Sequence, residues 1–155
     1  MTYLQFLLVV HVLGAVVGFG STFAFAVFPS DAEGLEPGVR AALADISYRL
    51  NTRMSAPVAF VIQPVTGLLL TFETGRNHGF FDHTWLRIAI ILYLVLLAII
   101  LFVALPDTRH EYEVTRAGRT PDPNYRGRGN PNVYGPLLGV IIAVIVILMV
   151  WKPGE

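Results

Sequence analysis

The sequence contains no cysteine and little charge. Without cysteine there are no disulfides, no thiolate nucleophile, no Cys-ligated iron–sulfur cluster and no Cys-type zinc site. Charged residues make up 14% of the 155, against about 25% in an ordinary soluble domain. Eleven Lys and Arg cancel eleven Asp and Glu, so no net field draws the chain to nucleic acid. The three methionines, Met1, Met54 and Met149, form no cluster, which excludes a soft Cu(I) site. The G-x-S-x-G elbow, a phosphate-binding glycine-rich loop and the H-E-x-x-H zinc motif are all missing.

The missing charge has a pattern. Residues 1–30, 54–72, 88–106 and 129–151 carry no Asp, Glu, Lys or Arg. A helix rises about 1.5 Å per residue, so roughly 20 apolar residues cross a hydrocarbon core of about 30 Å. These windows predict an all-α integral membrane bundle of four transmembrane helices, at about 3–28, 55–73, 86–105 and 134–151. Barrel strands alternate apolar and polar residues, and these runs do not. The first window lacks a basic flank and is too long for a signal peptide, so it reads as a span. Loops 29–53 and 107–133 hold eight arginines, and the opposite side holds Arg76, Arg87 and Lys152. The positive-inside rule then places both termini outside the cytoplasm, with Trp85 and Trp151 as outer interfacial anchors.

The connections differ in character, within what reads as one domain over 1–155. From Pro37-Gly38, residues Val39, Ala42, Leu43, Ile46 and Leu50 recur at helical spacing. This predicts a cytoplasmic amphipathic helix at 38–53 that runs into the second span and bends at Pro57 and Pro64. Its apolar face packs either on its own bundle or against a partner or membrane surface. Residues 106–133, rich in Pro, Gly, Asn and Arg, read as an irregular loop. The outer loop 74–85 carries His78, Phe80, Phe81, Asp82 and His83.

Polar side chains inside a membrane are functional candidates by default. With no acidic or basic residue inside any span, an ion-coupled transporter is disfavoured, and a solute channel or transporter ranks third among the readings. The remaining polar residues are His11, Gln63, Thr66 and Tyr93, with Ser21 and Thr22. His11 lies roughly 12 Å below the outer end of its span. The same depth on the other spans falls between Gln63 and Thr66, near Tyr93, and at Ala143. These residues are therefore expected to share a layer, either as interhelical hydrogen bonds or as a site centred on His11. On the first span, His11, Gly14, Ala15, Gly18 and Thr22 form one stripe. Its G-x-x-x-G either packs a helix closely or leaves room for a flat cofactor, with His11 as metal ligand. Gly135, Gly139 and Ala143 form a second small-residue stripe, which would let the first and fourth spans pack together. His78, His83 and His110 read as loop histidines.

The run His11-Val-Leu-Gly-Ala-Val-Val-Gly-Phe-Gly-Ser-Thr-Phe-Ala-Phe, with Pro64-Val-Thr-Gly-Leu-Leu-Leu in the second span, resembles a family of small bacterial predicted integral membrane proteins of unknown function. More distantly it is similar to CopD-type and HemJ-type membrane domains. The latter resemblance implies a four-helix haem b protein with His11 as axial ligand.

Two readings follow. One is a haem b-binding redox or electron-transfer membrane protein, with His11 as ligand and Gly14, Gly18, Gln63, Thr66 and Tyr93 around it. The other is a non-catalytic membrane subunit that docks a membrane-protein partner or a second copy of itself. Both place the chain in the lipid bilayer with no nucleic-acid partner, and neither decides whether it is an enzyme.

Overall fold

A computed structural model describes residues 2–25, 35–74, 83–119 and 127–152. Among them are six α-helices and no strand: α1 (Tyr3–Phe25), α2 (Pro37–Leu50), α3 (Gln63–Thr74), α4 (Thr84–Ile99), α5 (Leu105–Arg116) and α6 (Pro131–Trp151). A capping box starts α1. The Thr2 hydroxyl accepts from the Gln5 N–H (3.3 Å), and the Gln5 side-chain oxygen accepts from the Thr2 N–H (2.9 Å).

Four helices are long and apolar enough to cross a membrane, as the charge-free windows predict. Two of them overshoot it. α2 continues through π turns at Asn51–Ser55 and Val58–Ile62 into α3, and α4 continues through a π turn at Ile100–Ala104 into α5. Their 37 and 33 residues, Pro37–Glu73 and Thr84–Arg116, measure roughly 55 and 50 Å, against a core of about 30 Å. Charge decides which ends project: Arg40, Asp45, Arg49 and Arg53 on one helix, and Asp107 through Arg116 on the other. The projecting ends form a two-helix stalk. Tyr48 stacks on Tyr112 with centroids 4.3 Å apart and planes 8° from parallel, and Asn51 Nδ2 reaches Thr108 Oγ1 at 3.5 Å.

The expected irregular loop therefore begins later than predicted. Residues 105–116 are helical, braced by an Arg109–Glu113 pair at 2.7 Å. The Pro and Gly that coloured the whole 106–133 window lie, apart from Pro106, beyond Arg116. The stop is a Schellman turn: Arg119 N–H bonds the Val114 carbonyl, Gly118 N–H bonds that of Thr115, and Gly118 takes φ +68°.

Each π turn ends two residues before a proline: Pro57, Pro64 and Pro106. The residue just ahead of each proline donates five residues back, Ala56 to Asn51, Gln63 to Val58 and Leu105 to Ile100. A proline ring collides with the carbonyl four residues earlier and offers no N–H. Widening the preceding turn relieves the collision. The bends expected at Pro57 and Pro64 thus take the form of widened turns in a continuous helix. Near Pro64 and Pro106, where the helix lacks an N–H, two carbonyls accept from donors on other elements. Tyr93 Oη donates to Ala59, and Arg128 Nη1 donates to Phe102 at 3.3 Å.

α6 packs on α4 and on α1, and α1 packs on α3; α3 and α4, joined by the 75–83 connection, are not among the extensively packed pairs. The core of Phe19, Ala59, Leu96, Leu138, Ile141 and Ile142 lies toward the arginine-rich side. α1 and α6 do meet, with Phe19 in one core cluster with Leu138, Ile141 and Ile142. Gly135 has open space where a Cβ would stand, and Ala143 is exposed, so these two members of the α6 stripe do not fill that contact. At the opposite end Lys152 Nζ sits 5.7 Å from the Trp85 ring, which puts the start of α4 and the end of α6 on one side, as the two tryptophan anchors predict.

Candidate functional site

The polar layer forms between α1 and α3. His11 Nδ1 lies 2.7 Å from Thr66 Oγ1, and Gln63 Nε2 donates to the His11 carbonyl at 2.8 Å. Gln63 and Thr66 are 5% and 7% exposed. An intrahelical acceptor orients Thr66, whose hydroxyl donates to the Ile62 carbonyl at 2.6 Å. A hydroxyl has one proton. With that proton on Ile62, Thr66 can only accept from His11, so the neutral imidazole carries its hydrogen on Nδ1 and keeps a lone pair on Nε2.

Glycines set how closely the helices approach. A Cβ on Gly67 would stand 3.3 Å from His11 Cε1, so the ring lies against α3 backbone. A Cβ on Gly14 would meet Ile62 Cγ2 at 3.2 Å and Gln63 Nε2 at 3.3 Å, and one on Gly18 would stand 2.6 Å from Val58 Cβ. The G-x-x-x-G of α1 is therefore the close-packing surface for the second span. Sequence reading missed Gly67; its place directly after Thr66, on the polar residue's own helix, was the available signal.

Tyr93 is not part of this cluster. It donates to the Ala59 carbonyl, one turn nearer the arginine-rich side than Gln63, and so closes α4 onto the second span at the proline-widened turn. His83 precedes α4 with its ring 6.0 Å from that of Trp85. His110 lies on α5, roughly 40 Å further along the same helix. The side chains of Ser21 and Thr22, and all of His78, lie outside the described residues.

The imidazole suits one axial ligand. Its Nδ1–H is held by a protein oxygen and Nε2 keeps the lone pair, the arrangement of metal-bound histidines. The glycines do not suit a macrocycle, because Val58, Ile62 and Gln63 fill the Gly14–Gly18 face. Among the described residues no group of three or more His, Asp or Glu side chains could hold a metal ion.

A family model described as a predicted integral membrane protein, DUF2269, matches residues 5–153, which include His11, Gln63, Thr66 and Tyr93. Neither a curated protein nor a solved structure matches the chain, and the family match does not extend to the CopD-type or HemJ-type proteins. Four apolar spans and a match over nearly the whole length lead to one conclusion: the chain belongs to the DUF2269 family of predicted integral membrane proteins.

Proposed function

We propose that this protein is a membrane-embedded subunit: a four-span anchor in a bacterial inner membrane, with a cytoplasmic stalk that receives a partner protein. The direction in which α2 faces carries this reading. Its contact face toward α5 is built from Ala41, Ala44 and Tyr48, and Ala44 is its one buried residue. Part of the apolar stripe found in the sequence points elsewhere, while its Leu43 and Leu50 are half-buried. Val39 is 47% exposed, Ile46 is 52% exposed, and Ala42 between them is also exposed. Outside the bilayer an apolar stripe of this kind is a binding surface.

A photocrosslinking residue at Ile46, used in native membranes, is expected to give a discrete protein adduct that the same residue at lipid-facing Val61 does not. Val39→Asp with Ile46→Asp should abolish adducts formed from Ala42 without lowering the melting temperature. An adduct of twice the chain mass would make the partner a second copy, and no adduct at Ile46 would overturn the reading.

A second reading, His11 as axial ligand of haem b, has the lone pair left on Nε2 in its favour and the filled Gly14–Gly18 face against it, so the ring would have to lie elsewhere around the imidazole. Bound haem would supply one-electron transfer. Detergent-purified protein, expressed with haem supplied, should then show a b-type α-band in a reduced-minus-oxidised spectrum, lost in His11→Ala. A colourless folded protein, or a band that survives the substitution, would exclude it.

A further inference from the structure

The exposed surface of α2 is a regular seam. Between residues 39 and 53 the exposed side chains are Val39, Ala42, Ile46, Arg49 and Arg53, which follow one another at three, four, three and four residues. That is the spacing at which one helix receives another in coiled-coil packing. The register survives the π turn at Asn51–Ser55, since Arg53 within it is exposed with the rest. Fourteen residues separate the first from the last, so the seam is roughly 21 Å long.

Charge differs between the two ends of the seam. Glu36, exposed just before α2, stands at the tip far from the membrane. Arg53 stands at the other end, directly before the uncharged run 54–72. Asp45, half-buried beside the seam, holds Arg49 at 2.9 Å and offsets its charge, and Arg40 is half-buried off the seam. Neither Glu36 nor Arg53 has an ion pair among the described residues. The seam is therefore negative at its tip, apolar in the middle and positive by the membrane.

A second copy does not complement this pattern. Two copies in one membrane point their stalks the same way, so α2 against α2 sets Glu36 beside Glu36 and Arg53 beside Arg53. Like charges at both ends oppose that pairing. The other stalk helix has no apolar cover to offer, because the exposed residues of α5 are Arg109, Glu113 and Arg116.

We infer that α2 receives one helix of a different protein. The contact face of that helix is apolar in its middle, with a carboxylate opposite Arg53 near the membrane and a cation opposite Glu36 at the tip. This names the chemistry of the partner and rests on the reading of α2 as a docking surface. Exposed ion pairs add little affinity; their effect is to fix register and to reject helices of the wrong charge.

The test sequences, by mass spectrometry, the segment captured by a photocrosslinking residue at Ile46 of the full-length protein in native membranes. Ile46 and Arg53 are seven residues apart, roughly 10 Å, so the captured segment should carry Asp or Glu two helical turns from its crosslinked residue. Arg53→Glu replaces an attraction by a repulsion and should lower the adduct yield about fivefold, whereas Arg53→Lys should keep it. Arg53 is exposed and unpaired among the described residues, so both variants should melt as the wild type does. No protein adduct from Ile46, or an adduct with lipid alone, would remove the docking surface and this inference together. An adduct of twice the chain mass, a yield unchanged in Arg53→Glu, or a captured segment with no acidic residue two turns away would each overturn the inference and leave the docking surface standing.

Discussion

Gly18→Ala is expected to destabilise the bundle by about 1–3 kcal/mol, the usual cost of overpacking a well-filled contact. The added Cβ would lie 2.6 Å from Val58 Cβ. Both atoms are fixed to their backbones, so only separation of α1 from the second span relieves the overlap. The damage should extend beyond Gly18, because the same interface carries the Gln63 and Thr66 bonds to His11. Gly14→Ala should cost less, since its neighbours at 3.2 and 3.3 Å are the movable ends of Ile62 and Gln63. Gly20→Ala should cost nothing, since no atom lies within 4 Å of its Cβ position and alanine is the better helix former. Unfolding of the detergent-solubilised protein by increasing dodecyl sulfate measures all three. The exchange Gly18→Ala with Val58→Gly moves the missing Cβ to the other helix and should recover most of the loss. Wild-type stability in Gly18→Ala alone would show that this contact does not set the helix separation.

Tyr93→Phe should cost about 1–3 kcal/mol, the penalty for a buried acceptor left without a donor. Ala59 is 1% exposed and belongs to the core cluster. In the π register Gln63 N–H serves Val58, so the next N–H in line, the one Ala59 would use, falls at Pro64 and does not exist. The Tyr93 hydroxyl supplies the missing hydrogen from α4. Pro64→Ala restores an N–H to the helix, and in that background Tyr93→Phe should cost much less. The double-mutant cycle isolates the coupling. Equal costs in the two backgrounds would mean that the phenol does not serve as the proline's substitute donor.

The His11 layer is partly legible in the sequence. Counting residues from the span ends fixes height, because the rise per residue is constant, and that brings His11, Gln63 and Thr66 to one level. Height does not fix which way a side chain turns or how far it reaches. Tyr93 starts from the same level, but its long side chain reaches a carbonyl one turn away. The glycine stripes show the complementary failure. Small residues at four-residue spacing announce that something packs closely, and Gly18 bears this out. Which helix fills the face is not written in the spacing: Val58 of the second span fills that of Gly18, while Gly135 on α6 stays open.

Charge pattern alone is enough for the class, the four spans and the helical extension ahead of the second span, but not for that of the third, which reads as an irregular loop. Those outcomes follow from the solvation of single segments: an uncharged run of about 20 residues belongs in hydrocarbon whatever its neighbours do. Tertiary structure alone decided what each face meets. The apolar periodicity of α2 located a face, but the small Ala44 is what α2 buries, and Val39 and Ile46 were left outside. The prolines located weak points in two helices, yet their repair came from Tyr93 and Arg128, remote in sequence. Hydrogen-bond donors that replace a missing N–H are chosen by proximity in space, which no local pattern records.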